Sequence, residues 1–330
     1  MTKPADKSNR RRWRIGASIG CVCLLLFIRC VNIRSISTQP ALTPDAGADG
    51  IIVAGKRIPI GTHVVTWKDP NGYSAYLRGK HFDRSQPADG KRRYSHRSGL
   101  PPGMREGDLS HEDLQRVVHQ FVVHYDTTGC SRQCFKVLQD VRNLSVHFML
   151  DVDGTIYQTL DVRDKAWHAT ISNDFAVGIE IAHPGAWKSP LNADMRRWYE
   201  QDAQGWRQKF PKWLPETGIR TDGYVPRPAR PEFVSGRVQG RTYHQFDFTN
   251  EQYRALPKLI AALNKALPRI RIDAPRDPRG KIIDRALPES ALRQFDGVVG
   301  HFHVQTNKQD PGPAFQWEHV LDEARQLRAR

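Results

Sequence analysis

From Ser110 onward the chain alternates helix-spaced segments with short β-branched and aromatic runs, and few folds accept that alternation. Ser110 is placed to cap HEDLQRVVHQ, whose apolar residues keep helical spacing, and FVVHYD follows as a short strand. Ser131 stands as the cap of SRQCFKVLQDVRN, with Phe135, Leu138 and Val141 on one helical face. SVHFMLDVDGTIYQTLD then places two strand-like runs about Asp153-Gly154, a strong hairpin signal. AVGIEIA is compact and apolar throughout, as a strand covered on both faces must be. Thr249 opens the amphipathic helix TNEQYRALPKLIAALNKAL, GVVGHFHV reads as a strand, and a last helix starts near Phe315. Elements in this order predict an α/β domain, a single central mixed β-sheet flanked by helices.

That domain takes residues 110–330, with a Pro-, Arg- and Trp-rich insertion at about 185–243 that contains a predicted helix at NADMRRWYEQDAQGWRQ. Residues 35–50, rich in Ser, Thr, Pro, Ala and Gly, suit a linker, and 51–109 read as an extension packed on the main domain, of no assignable role. Residues 1–34 combine a basic flank (Lys3, Lys7, Arg10, Arg11, Arg12, Arg14) with an apolar run from Ile15 to Ile28. The run suits an export signal and falls short of the roughly 20 residues of a comfortable membrane span. Arg29 interrupts it, but Cys30, Val31 and Ile33 extend it if the arginine snorkels. A retained anchor is preferred to a cleaved signal, because no clean small-x-small site follows and the basic flank would stay inside the cell. The sequence thus predicts an exported protein anchored to a membrane.

The formal charge of +15 favours an anionic partner. No zinc knuckle, aromatic RNA-binding signature or basic zipper helix accompanies it, so no nucleic acid is expected. Of five cysteines, Cys130 and Cys134 fall in the presumed exported part, four residues apart, and form the one candidate disulfide.

His124 ends a strand, while His301 and Asp310 frame a strand end and the loop after it, so all three can converge on one sheet edge. Two imidazoles and one carboxylate make a zinc shell with a position left open. Thirteen histidines also produce chance neighbours, and His303, two residues from His301 on the same strand face, is the rival third ligand.

FVVHYD, SVHFMLDVDGTIYQ, AWHAT, AVGIEIA and GHFHVQTNKQDPGPAF occur in the order found in the N-acetylmuramoyl-L-alanine amidase family, and over residues 114–327, the insertion apart, the chain resembles its members. The family includes bacterial anhydromuropeptide amidases, phage T7 lysozyme and the peptidoglycan recognition proteins. The resemblance implies a sheet flanked by helices, a Zn2+ on His124, His301 and Asp310, and hydrolysis of the amide between N-acetylmuramic acid and L-alanine. It implies Glu180 as base and then acid, and Lys308 as the cation steadying the oxyanion. His147, Trp167 and His168 also fall in its blocks, as substrate or structural residues. Val146 stands where the phage enzyme has a tyrosine, which leaves the base role to Glu180. Peptidoglycan or muropeptides are then the expected partners and the cell envelope the expected location. Two rivals stay open: a non-catalytic peptidoglycan-binding receptor on the same fold, and a metallohydrolase of some other amide. Oligomeric state has no signature in the sequence.

Overall fold

The computed structural model describes residues 50–83, 85 and 89–330, so the segment 1–34 and all of the linker but Gly50 lie outside it. Among the described residues no helix is long and apolar enough to cross a membrane. Six strands build the central sheet: β1 (Val64–Thr66), β2 (Gln120–Tyr125), β3 (Phe148–Leu150), β4 (Ile156–Gln158), β5 (Ala176–Ile181) and β6 (Gly297–Gly300). Their order is β6-β2-β5-β3-β4-β1. β3 and β4 form the antiparallel hairpin expected at Asp153-Gly154, and every other neighbouring pair is parallel, so the sheet is mixed. β1 comes from the stretch read as an extension, which therefore supplies an edge strand.

The helices that matter here are α1 (His111–Val117), α2 (Ser131–Lys136), α3 (Asn250–Ala266), α4 (His301–Val304) and α5 (Trp317–Ala329). The predicted caps Ser110 and Thr249 open α1 and α3, and each is completed to a capping box, by Asp113 and Gln252. Leu256, Leu259, Ile260 and Leu263 of α3 and Val320 and Leu321 of α5 pack with Phe121, Val123, Val177 and Ile179 in one core. Alternation along β2 and β5 sends His124, Gly178 and Glu180 to the opposite face.

Four local expectations are corrected. Cys130, not Ser131, holds the N-cap of α2, in extended conformation and with no side-chain cap. Residues Val137–Arg142 then form a π-helix, whose wider turn breaks the 3.6-residue phase and leaves Val141 68% exposed instead of beside Phe135 and Leu138. The helix expected across NADMRRWYEQDAQGWRQ covers only Ala193–Trp198. Tyr199–Asp202 and Gly205–Gln208 then pair as a hairpin, closed by Gly205 at φ 107° and by the Asp202 carboxylate accepting the Gln204 N–H. Cys130 and Cys134 are free thiols rather than a disulfide. Extended backbone at Cys130 turns its side chain toward Met195, Trp198 and Phe246, while Cys134, one turn into the helix, packs with Phe135, Val146 and Met149.

Residues 51–109 also hold two fully buried arginines. Arg97 donates to the carbonyls of Val162, Asn173, Asp174 and Ala176 and so fixes both ends of the loop before β5. Arg93 donates to Gln139 O and pairs with Asp89.

Buried titratable groups set a pH window for stability. Burial, then the charge of Asp153, pushes the Asp151 carboxyl up to about 8, and its Oδ2 has no hydrogen-bond partner. A raised carboxyl contributes fully below its unfolded value near 4 and is lost as pH rises toward 8. Burial lowers His147 and His303 to about 3 and His183 to about 4, so their contribution is complete above pH 6.5 and is lost as pH falls through those values. Burial likewise raises Asp126 to about 7 and pushes Glu180 well above the ordinary carboxyl range, so more than one carboxyl loses stability as pH rises. Urea unfolding should show stability falling between pH 6.5 and 8, by more than the roughly 1.4 kcal/mol per pH unit of a single group. Asp151→Asn should make that alkaline limb shallower by one group's share, roughly 1.4 kcal/mol per pH unit; an unchanged limb would refute the assignment.

Candidate active site

Strand register assembles the site. In the parallel pair β2/β5 His124 lies directly opposite Glu180, and in β6/β2 Gly300 lies opposite Val123, so His301 follows at the level of His124. Three neighbouring parallel strands thus end together, and their carboxyl ends are where open α/β sheets hold ligands.

GVVGHFHV is not one strand. β6 stops at Gly300 and α4 begins at His301, so the side chains of His301 and His303 diverge instead of sharing a face. His303 Nδ1 accepts the Gly300 N–H at 2.9 Å and its Nε2 donates to Ile283 O at 2.6 Å, which makes it a brace for the turn and removes it as rival ligand. His301 meets His124 and Asp310. The two Nδ1 atoms are 2.9 Å apart, and Asp310 Oδ2 lies 3.0 Å from His124 Nδ1 and 2.9 Å from His301 Nδ1.

Both rings are held from behind. His124 Nε2 lies 2.9 Å from His168 Nδ1, and His301 Nε2 lies 3.0 Å from Gln305 Oε1. With each Nε2 engaged, both Nδ1 lone pairs and the carboxylate aim at one point, an arrangement protons satisfy poorly and a cation satisfies well. All three residues are buried, and they form the one His/Cys/Asp/Glu group among the described residues with ligand atoms close enough for a metal. Burial and then the neighbouring His301 hold His124 down to about 4, which keeps the imidazole neutral. Burial alone would raise the Asp310 carboxyl, but His301 and His124 prevail and hold it well below the usual carboxylate range. Two imidazoles and one carboxylate, buried, are the donor set of a three-ligand zinc site.

A cavity of about 180 Å³ opens on this triad, with Glu180, Lys308, Trp167 and His168 in its wall. Glu180 Oε2 is buried with no hydrogen-bond partner. Burial, and next the charge of Asp310, push its carboxyl well above the ordinary range, with Lys308 and Arg142 opposing. An unsatisfied carboxyl inside an apolar strand costs stability, on the order of 1–3 kcal/mol, and is retained where it serves a reaction.

The remaining predicted residues divide. His168 backs His124 and stacks on Gly178, where any Cβ would come within 2.4 Å of its ring. Trp167 lies in the cavity wall, its Nε1 donating to Ser95 Oγ. His147 is absent from the cavity: fully buried, it accepts the Gly178 N–H on Nδ1 and donates from Nε2 to Asp164 O, so its place is structural. Sequence reasoning missed Gln305, which sits one helical turn after His301 and was hidden by reading this segment as a strand. It also missed Gln239. From the turn of the hairpin Val234–Val238/Arg241–Gln245, the Gln239 amide approaches the carbonyls of Phe302, Gln305 and Lys308 at 2.8, 2.9 and 3.3 Å. The insertion thereby ties down the loop that carries Lys308 and Asp310.

The sequence matches the family model described as N-acetylmuramoyl-L-alanine amidase over residues 114–313. This chain belongs to the N-acetylmuramoyl-L-alanine amidase family. Comparison with curated proteins finds no match. Among solved structures, it is similar to the N-acetylmuramyl-L-alanine amidase AmiD from E. coli, seen in complex with the substrate anhydro-N-acetylmuramic acid-L-Ala-D-gamma-Glu-L-Lys. That likeness has 16% identity and a TM-score of 0.36, covering 70% of this chain and 65% of AmiD, just under two thirds of its length. An AmpD derivative matches at 17% identity and TM-score 0.32, over 71% of this chain and 89% of AmpD. The endolysin amidase LysCS from Clostridium intestinale matches at 13% identity and TM-score 0.31, over 64% of this chain and 86% of LysCS. The matched span of the amidase family model contains His124, Glu180, His301, Lys308 and Asp310.

Proposed function

We propose that this chain is a zinc-dependent amidase that hydrolyses the bond between N-acetylmuramic acid and L-alanine in peptidoglycan. We propose further that it works in the cell envelope, carried there and held by its N-terminal basic and apolar segment. The observation that carries the reading is the meeting of His124, His301 and Asp310 beside an unpartnered Glu180 carboxyl in a single cavity, within a chain of this family. A zinc ion on the triad would supply Lewis acidity, polarising the amide carbonyl and making water a nucleophile near neutral pH. The same added charge would draw the Glu180 carboxyl back toward its ionised form. Glu180 then takes the proton from the attacking water and passes it to the departing L-alanine nitrogen. The Lys308 ammonium stands at the rim to balance charge growing on the carbonyl oxygen. His168 and Gln305 hold the two ring ligands in place throughout. The products are a muramic-type glycan and a peptide with a free L-alanine amino terminus.

Incubation of the purified protein with sacculi and zinc should release new L-alanine amino termini, and a chelator should prevent it. Binding to sacculi without release would identify a receptor instead, and turnover of simple N-acyl amino acids but not muropeptides would identify a different amide substrate.

A further inference from the structure

We propose that the end of the domain formed by α3, α5 and the hairpin Gly50–Val53/Lys56–Pro59 docks on an anionic phospholipid surface. A cavity of about 430 Å³ opens there, with Lys258 and Lys265 of α3 and Arg328 and Arg330 on its walls. Pro59 and Ile60 contribute apolar surface, and the lining includes no Asp or Glu side chain. Lys258 donates to Gly61 O and Arg328 to Asn264 Oδ1, both neutral partners, so their charges are not cancelled. Lys265 is exposed and meets no carboxylate among the described residues.

The chemistry of the cavity selects its occupant. A phosphate diester matches the cationic rim, and the glycerol and upper acyl carbons of a lipid match the apolar wall. No aromatic side chain lines the cavity, so it lacks the stacking platform that a single nucleic-acid strand uses. The chain's own N-terminal stretch offers no counter-charge, being strongly basic itself. Connectivity points the same way. The N-terminal stretch joins the domain at Gly50, and Gly50 pairs across the hairpin with Pro59, a residue of the cavity wall. Residues 29–49 separate the apolar run Ile15–Ile28 from Gly50, so a chain held in a membrane by that run would enter the fold at its cationic end. The inference goes beyond the amidase reading and stands or falls without it, since its test measures no turnover.

The test compares the full chain with its Lys265→Gln/Arg328→Gln variant on phosphatidylcholine vesicles with and without phosphatidylglycerol, by co-sedimentation at low and high salt. The apolar segment is common to both proteins and cancels. Wild type should prefer the anionic vesicles, and the variant should lose about 25-fold of that preference, about fivefold per charge removed. Binding to phosphatidylcholine alone should not change, and high salt should erase the difference. An undiminished preference in the variant would overturn the proposal and give the lipid contact to the N-terminal arginines and lysines. A variant that keeps its lipid preference but loses binding to duplex DNA would overturn it in favour of a nucleic-acid surface.

Discussion

Glu180→Gln is expected to keep its metal and lose about two to four orders of magnitude in turnover, the usual worth of a positioned general base. The substitution preserves shape, so the cavity and the β5 register should survive. It also replaces a carboxyl whose Oε2 is buried without a partner. Thermal stability should therefore hold or rise while activity collapses, the pattern of a residue kept for chemistry at a cost to the fold. Three measurements decide it: kcat on a soluble muropeptide, zinc per chain, and the unfolding midpoint. A variant with near wild-type kcat would remove Glu180 from the mechanism. Loss of zinc together with activity would make it a ligand, which its separation from the converging Nδ1 and Oδ2 atoms argues against.

How far the sequence could be read depended on whether a feature is local. The caps at Ser110 and Thr249, the Asp153-Gly154 turn and the apolar run of β5 are decided by residues within a few positions of one another, and each was legible. His124, Glu180, His301, Lys308 and Asp310 were named from family blocks, and parallel register explains why strands so distant in sequence deliver them to one edge. Features that depend on partners far along the chain were not legible. The π-helix at Val137–Arg142, the end of β6 at Gly300 and the hairpin after Trp198 all override a plausible local pattern. Gln239 shows why the insertion resisted reading: its composition suggests irregular surface, yet one amide in it reaches three carbonyls of the segment that carries His301, Lys308 and Asp310. Arg97 does the same for residues 51–109, since only the fold reveals which carbonyls need its guanidinium.

Asp310→Ala and His303→Ala should fail in opposite ways. Removing Asp310 deletes the only anion of the triad and leaves two imidazoles facing each other, so zinc affinity should fall by more than about 100-fold, exceeding the loss typical of an outer-shell partner. Activity should go with it. Because a metal that binds only the folded state raises stability by mass action, zinc should lift the unfolding midpoint of wild type and leave that of Asp310→Ala unmoved. His303→Ala removes no ligand but breaks two buried contacts, to the Gly300 N–H and to Ile283 O, and opens a cavity behind α4. It should cost about 2–4 kcal/mol of stability and still bind one zinc per folded chain with a preserved midpoint response. Titration against a zinc-sensitive chelator, with near-ultraviolet circular dichroism to confirm folding, separates the two. If folded His303→Ala loses the metal and Asp310→Ala retains it, the coordination passes to the residue that α4 turns away from the site, and the geometry of that turn would have to differ in the zinc-loaded protein.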